Sequence, residues 1–133
     1  EVKIAVANST MYLAILNASD EEIRKLRSYG ERFKEAMCDT AVDLEGKYEA
    51  SKSFNEYLGE ISHNRMLVQL NTIICRIAAF TRYRALEVSV ERGCPDRLPD
   101  NYLKEVDILE ARDEAAIAGF MDERLALWQD LLL

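Results

Sequence analysis

Both prolines of this 133-residue chain, Pro95 and Pro99, fall in one short loop together with Gly93 and Asp96, and the rest of the chain is free of strong breakers. Proline removes a backbone donor and clashes with the preceding helical turn, so long stretches without it are free to run as helix. No segment alternates apolar and polar residues as a half-buried strand must. The expected fold is therefore all-α, an antiparallel bundle of about six helices.

Periodicity places the first helix over residues 2–16, with Ile4, Met11 and Ile15 inward. After a turn at Asn17-Ala18-Ser19, Ser19 and Glu22 form a capping box that starts the second helix. That helix buries Ile23, Leu26, Phe33 and Met37 and ends near Cys38-Asp39. A third helix spans 40–61. A long fourth spans 64–92, with Leu67, Leu70, Ile74 and Ile77 as its inner row. The fifth covers 100–111, and a sixth, capped by Asp113, ends near Leu132.

At 15.2 kDa, with 49% apolar and 31% charged residues, residues 1–133 suit one helical domain with a sizeable core. The net charge of −7 argues against direct contact with nucleic acid or an anionic membrane, because phosphate binding needs a basic footprint. The longest apolar candidate for a membrane span, Met66 to Phe80, is interrupted by Asn71 and Arg76. Cys38, Cys75 and Cys94 are odd in number and lack a C-x-x-C spacing, which points to free thiols and a cytoplasmic protein. The chain opens at Glu1 without Met and reads as a piece of a longer protein.

Chemistry enters on the third helix. Leu44, Tyr48, Ser51, Asn55 and Leu58 share one side at steps of three and four, so two polar side chains interrupt a core-facing stripe. Buried polar groups need partners, so such a gap lines either a hydrogen-bonded network or a ligand pocket. The helix breaks at Ser62-His63-Asn64, where Asn64 can cap the next one.

The stretch from Ser51 to Leu67 resembles the D-x-x-F-H motif, followed by a small-Gly-Asn break and a Leu, of the C-terminal effector-binding (FCD) domain of GntR-family transcription regulators. Phe54, Ser62-His63-Asn64 and Leu67 match. Ser51 stands where Asp is usual, and Asn55 where His is. Downstream, Ala111-Arg112-Asp113 and Phe120-Met121 keep the frame of the family's last two motifs. Its remaining metal histidines then fall on Tyr102 and Arg124. Ser19 to Leu26 is similar to the family's T-x-E-x-x-x-L helix start.

The resemblance implies a ligand-sensing and dimerisation domain. Its partners would be a small organic acid or an acyl- or phosphate-bearing metabolite and a second copy of the chain. DNA would be reached only through an N-terminal winged helix-turn-helix that lies outside this chain. Where family members hold a divalent metal, Ser51, Asn55, Tyr102 and Arg124 offer hydroxyl, amide, phenol and guanidinium, which are poor or repelling ligands. No metal or other cofactor is expected. The lone His63, in the break, suits capping or solvent.

Arg124 shares an apolar face with Ile117, Phe120, Met121 and Trp128. Either its stem packs while the guanidinium reaches solvent or an acid such as Asp122 or Glu105, or it supplies the positive charge of the lost metal and forks onto an anion. Ser51, Asn55 and Tyr102 would complete such a site. Arg76 is a second candidate cation, and Tyr48 a candidate wall, although aromatics at helical spacing are also plain core. The alternative function is a helical interaction or dimerisation module without a small-molecule ligand. An enzyme is the least expected of the three classes, since one loop histidine provides no Ser-His or Cys-His couple and no metal set or glycine-rich phosphate loop is present.

Overall fold

The computed structural model describes residues 2–133 as seven α-helices: α1 (Val2–Asn17), α2 (Asp20–Cys38), α3 (Leu44–Ile61), α4 (Arg65–Ile77), α5 (Ala79–Glu91), α6 (Arg97–Ala111) and α7 (Ala116–Leu132). No strand occurs among the described residues, and no helix is long and apolar enough to cross a membrane.

Local chemistry fixes most of the boundaries. The capping box at the start of α2 forms in both directions, Ser19 Oγ accepting from the Glu22 amide and Glu22 accepting from the Ser19 amide, which satisfies two otherwise orphaned donors. Asp43 rather than Thr40 starts α3, its carboxylate accepting from the Gly46 amide at 2.8 Å. Buried Lys47 donates to the Asp39 and Val42 carbonyls, closing the turn that precedes it. Asn64 caps α4 as expected, accepting from the Leu67 amide at 3.0 Å.

Three expectations need correction. The long fourth helix is two elements. Ala78, at φ −88° and ψ 3°, interrupts it, although amide bonds from Ala78 to Ile74 and from Arg82 to Ala78 carry the spiral across. The last helix begins at Ala116 without a side-chain cap, so Asp113 contributes only its carbonyl, to the Ala116 amide. The inner row drawn through Leu70 and Ile77 is also wrong. Leu70 is 41% and Ile77 78% exposed, and α4 has no fully buried residue.

The core lies where α2 packs against α3 and α6, around Ile23, Leu26, Phe33, Phe54, Leu98, Val106 and Leu109. Two left-handed residues pin the periphery. Arg112, at φ 50°, reaches back to the Ile15 and Ala18 carbonyls at 2.7 Å each and so satisfies the carboxy end of α1. His63, at φ 53°, places its Nε2 3.0 Å from Glu22, joining the α3–α4 turn to the start of α2. Beyond the core, α1, α4, α5 and α7 close over the exposed sides of α3 and α6 and enclose a polar site.

Candidate functional site

Ser51 and Asn55, one turn apart on α3, meet Tyr102 of α6. The Ser51 and Tyr102 hydroxyls are 3.3 Å apart. Asn55 Nδ2 donates to the Ser51 carbonyl at 2.9 Å and to the Tyr102 hydroxyl at 3.3 Å. The Tyr102 ring is held by Phe33 and Phe54, with centroids 5.0 and 4.9 Å away, so its hydroxyl is fixed in direction. Asn71 of α4 extends the network by donating to the Asn55 carbonyl at 3.3 Å.

Arg124 of α7 lies over the rings of Tyr102 and Phe120, at 5.0 and 4.7 Å. The structure thus brings together the four positions that Ser51, Asn55, Tyr102 and Arg124 were expected to share. It also gives Arg124 partners of its own. Its Nε donates to Asn101 Oδ1 at 2.9 Å, and its Nη2 sits 2.5 Å from Glu105 Oε2. That approach lies off the N–H direction, leaving Nη2 and both Glu105 oxygens without an aligned hydrogen bond. Glu105 is fully buried. Burial pushes its carboxyl above the usual carboxylate range, and the Arg124 charge opposes that. Of the two acids named as possible partners for Arg124, Glu105 is therefore the one engaged, inside the protein rather than at its surface.

The network borders a cavity of about 200 Å³ between α1, α3, α4, α5, α6 and α7. Its polar lining is Lys3, Asn55, Asn71, Thr81, Arg82, Tyr102 and Arg124, and Ile4, Ala7, Ile74, Leu125, Trp128 and Leu132 supply most of the apolar part. Arg82 is 3% exposed. Its Nε and Nη1 have no partner at all, and its Nη2 has only the Cys75 sulfur at 3.8 Å. An arginine carries five N–H donors, so three of them are unused in a place where unpaired donors are costly. Lys3 Nζ sits 4.0 Å from the Trp128 ring centre. Burial, with Arg82 and Arg124 close by, lowers its ammonium to about 8.

Arg76 and Tyr48 are not in this cavity. They line a second one, of about 440 Å³, on the other side of α4 with Lys52, Glu56 and Gly59. There Tyr48 stacks on Tyr83 at 4.6 Å, and Arg76 is exposed. Asn71 and Cys75 belong to both walls, so α4 is the partition.

The donor set does not fit a metal. The guanidinium of Arg124 occupies one of the four family positions, and the nearest carboxylate, Glu105, is paired with it. No cluster of three or more His, Cys, Asp or Glu side chains forms among the described residues. Lys3 and Arg82 were not singled out in the sequence, and Glu105 only as a possible acidic partner of Arg124. A signal existed for Arg82, which shares a face with Ala85, Leu86 and Ser89, all buried.

Seven helices around a cavity of mixed polar and apolar lining, with no strand among the described residues, define an all-α domain. The family model of the FCD domain matches residues 1–127, and the chain belongs to that family, the C-terminal effector-binding domain of GntR-type regulators. No curated protein and no solved structure gives a match.

Proposed function

We propose that this domain senses a small anionic metabolite, binding it without a metal in the cavity bordered by Arg82, Arg124, Tyr102 and Asn55. We further propose that it works as a cytoplasmic homodimer. Its single helical unit would pass ligand binding to a winged helix-turn-helix joined at its amino end. The observation that carries the reading is Arg82. A buried guanidinium with three unused donors, facing a cavity, is a receptor waiting for an oxyanion. Ser51 and Asn55 orient the Tyr102 hydroxyl, and Asn55 and Tyr102 give the cavity wall neutral polar groups. Arg124, already paired with Glu105, lies over the Tyr102 ring as part of the cavity wall. Arg76 and Tyr48 serve the second cavity instead.

The dimer is supported by a different surface. Met66, Leu70, Ile73, Ile77 and Phe80 follow one another at alternating steps of four and three, and all are among the exposed large apolar residues. That is the heptad spacing of a helix seam. The reading without a small-molecule ligand draws on the Arg124–Glu105 pair, whose charges cancel within the protein, but it leaves Arg82 unexplained.

A thermal-shift series with short carboxylates and phosphates tests the proposal. A ligand at a hundred times its dissociation constant adds about 2.7 kcal/mol. Arg82→Met should remove a charge-assisted contact worth about 1.5–3 kcal/mol, weakening binding roughly ten- to hundredfold. If no carboxylate or phosphate raises the melting temperature, the interaction-module reading wins.

A further inference from the structure

Three cationic side chains line the cavity, and among the described residues only one of them has a counterion. Glu105 neutralises Arg124. The titratable groups that bear on Arg82 are the phenols of Tyr102 and Tyr48 and the Cys75 thiol, with no carboxylate among them. Those that bear on Lys3 are Arg82, Arg124 and Cys75.

The neighbouring helices explain the imbalance. Neither α1 nor α4 contains an acidic residue. On α3, Glu56 faces the second cavity. On α5, Glu87 and Glu91 are engaged by Arg84. On α7, Glu123 pairs with Lys104 and Asp130 with Arg97 and Arg92, while Asp122 is exposed. Among the described residues of these helices, the carboxylates are thus committed elsewhere or face away.

We propose that the cavity takes a ligand bearing two negative charges on a small apolar body. This deepens the anion-binding reading above and rests on it. Lys3 and Arg82 together present to one cavity two positive charges that have no carboxylate partner among the described residues. A monoanion would leave one of them unpaired beside poorly solvated walls, whereas a dianion neutralises both. Ile4, Ile74, Leu125 and Leu132 form an apolar stretch of the wall beside the polar Asn55, Asn71 and Tyr102, so part of the ligand body is apolar. An enclosed apolar cavity of about 150 Å³ accepts benzene, so about 200 Å³ in a cavity partly open to solvent has room for a body of at least one ring or a short chain beside its head group.

The test uses matched pairs that differ in charge more than in shape, with affinities measured by titration calorimetry on the dimeric domain. Phenyl phosphate, a dianion above a second pKa of about 6, is set against the monoanion phenyl sulfate. Phenylmalonate is set against phenylacetate. In at least one pair the dianion should bind at least about tenfold tighter. Lys3→Met should erase that preference by weakening the dianion and sparing the monoanion. Dianion affinity should also fall as pH rises past about 8, where Lys3 loses its proton in the free protein. Lys3→Arg should keep the preference and lose the pH dependence. Equal affinities within both pairs, or a Lys3→Met loss shared by dianion and monoanion, overturns the two-charge inference and leaves the anion reading standing. Failure of all four compounds to bind overturns both.

Discussion

Arg82 and Arg124 are both buried, yet they should respond to truncation in opposite ways, because only one of them has a partner. Arg124→Met leaves Glu105 fully buried without its counterion, a change that typically costs about 3–5 kcal/mol. The pH dependence follows from the sign of the Glu105 shift. Its folded pKa is raised by burial, with Arg124 opposing, so its contribution to stability is complete below the unfolded value and is lost as pH rises through the folded one. Without Arg124 the folded value climbs further and the loss extends to higher pH. Urea unfolding of Arg124→Met at a series of pH values should therefore find the deficit growing from acid to neutral pH. Adding Glu105→Gln should recover most of it. Arg82→Met removes a buried charge that has no partner, so the ligand-free protein should melt no lower than wild type, by calorimetry, even though it no longer responds to anions.

At the scale of elements, α4 and the start of α5 are the informative case. Ile77 and Phe80 are 78% and 83% exposed, so substituting them should change monomer stability by no more than about 0.5 kcal/mol. If the stripe is the seam between two copies, Ile77→Glu or Phe80→Glu buries a charge in each half. Sedimentation should then register dimer dissociation at least about a hundredfold easier, with the melting temperature of the monomer held. The same elements mark where sequence was legible and where it was not. Capping chemistry is local, so Ser19 and Asn64 announced their helices. The polar interruption at Ser51 and Asn55 was readable because its neighbours Leu44 and Leu58 fixed the inward phase. On α4 the usual rule points the wrong way. Its strongest apolar row faces outward, while the row through Asn71, Cys75, Arg82 and Ser89 faces the protein interior. Periodicity reports that a helix has two faces, and which face is covered depends on what else is present. Arg82 was missed for that reason, and Lys3 because an amino-terminal lysine carries no local mark of burial.

For the molecule as a whole, an acidic chain of net charge −7 encloses a small basic interior. Lys3 makes this visible in the stability curve. Its folded value is lowered to about 8 from 10.5, so its contribution is present above the unfolded value and lost as pH falls through the folded one. Wild-type stability relative to Lys3→Met should thus rise between about pH 8 and 10.5. Denaturant midpoints of the two proteins across that window check it, and parallel curves would mean that Lys3 is solvated.

The partition helix has a kinetic consequence. Since no α4 residue is fully buried, its amides have little to hold them shut in the isolated subunit and should exchange with deuterium sooner than those of α2 or α6. Two events can slow that exchange: an occupant of the cavity, which packs against Asn71, Ile74 and Cys75, and a partner subunit laid along Met66, Ile73 and Ile77. Because both would quiet the same helix, each lowers the ordering cost left for the other. Occupancy and pairing are then cooperative, and by reciprocity diluting the subunits should weaken ligand affinity by the same factor that ligand strengthens the dimer.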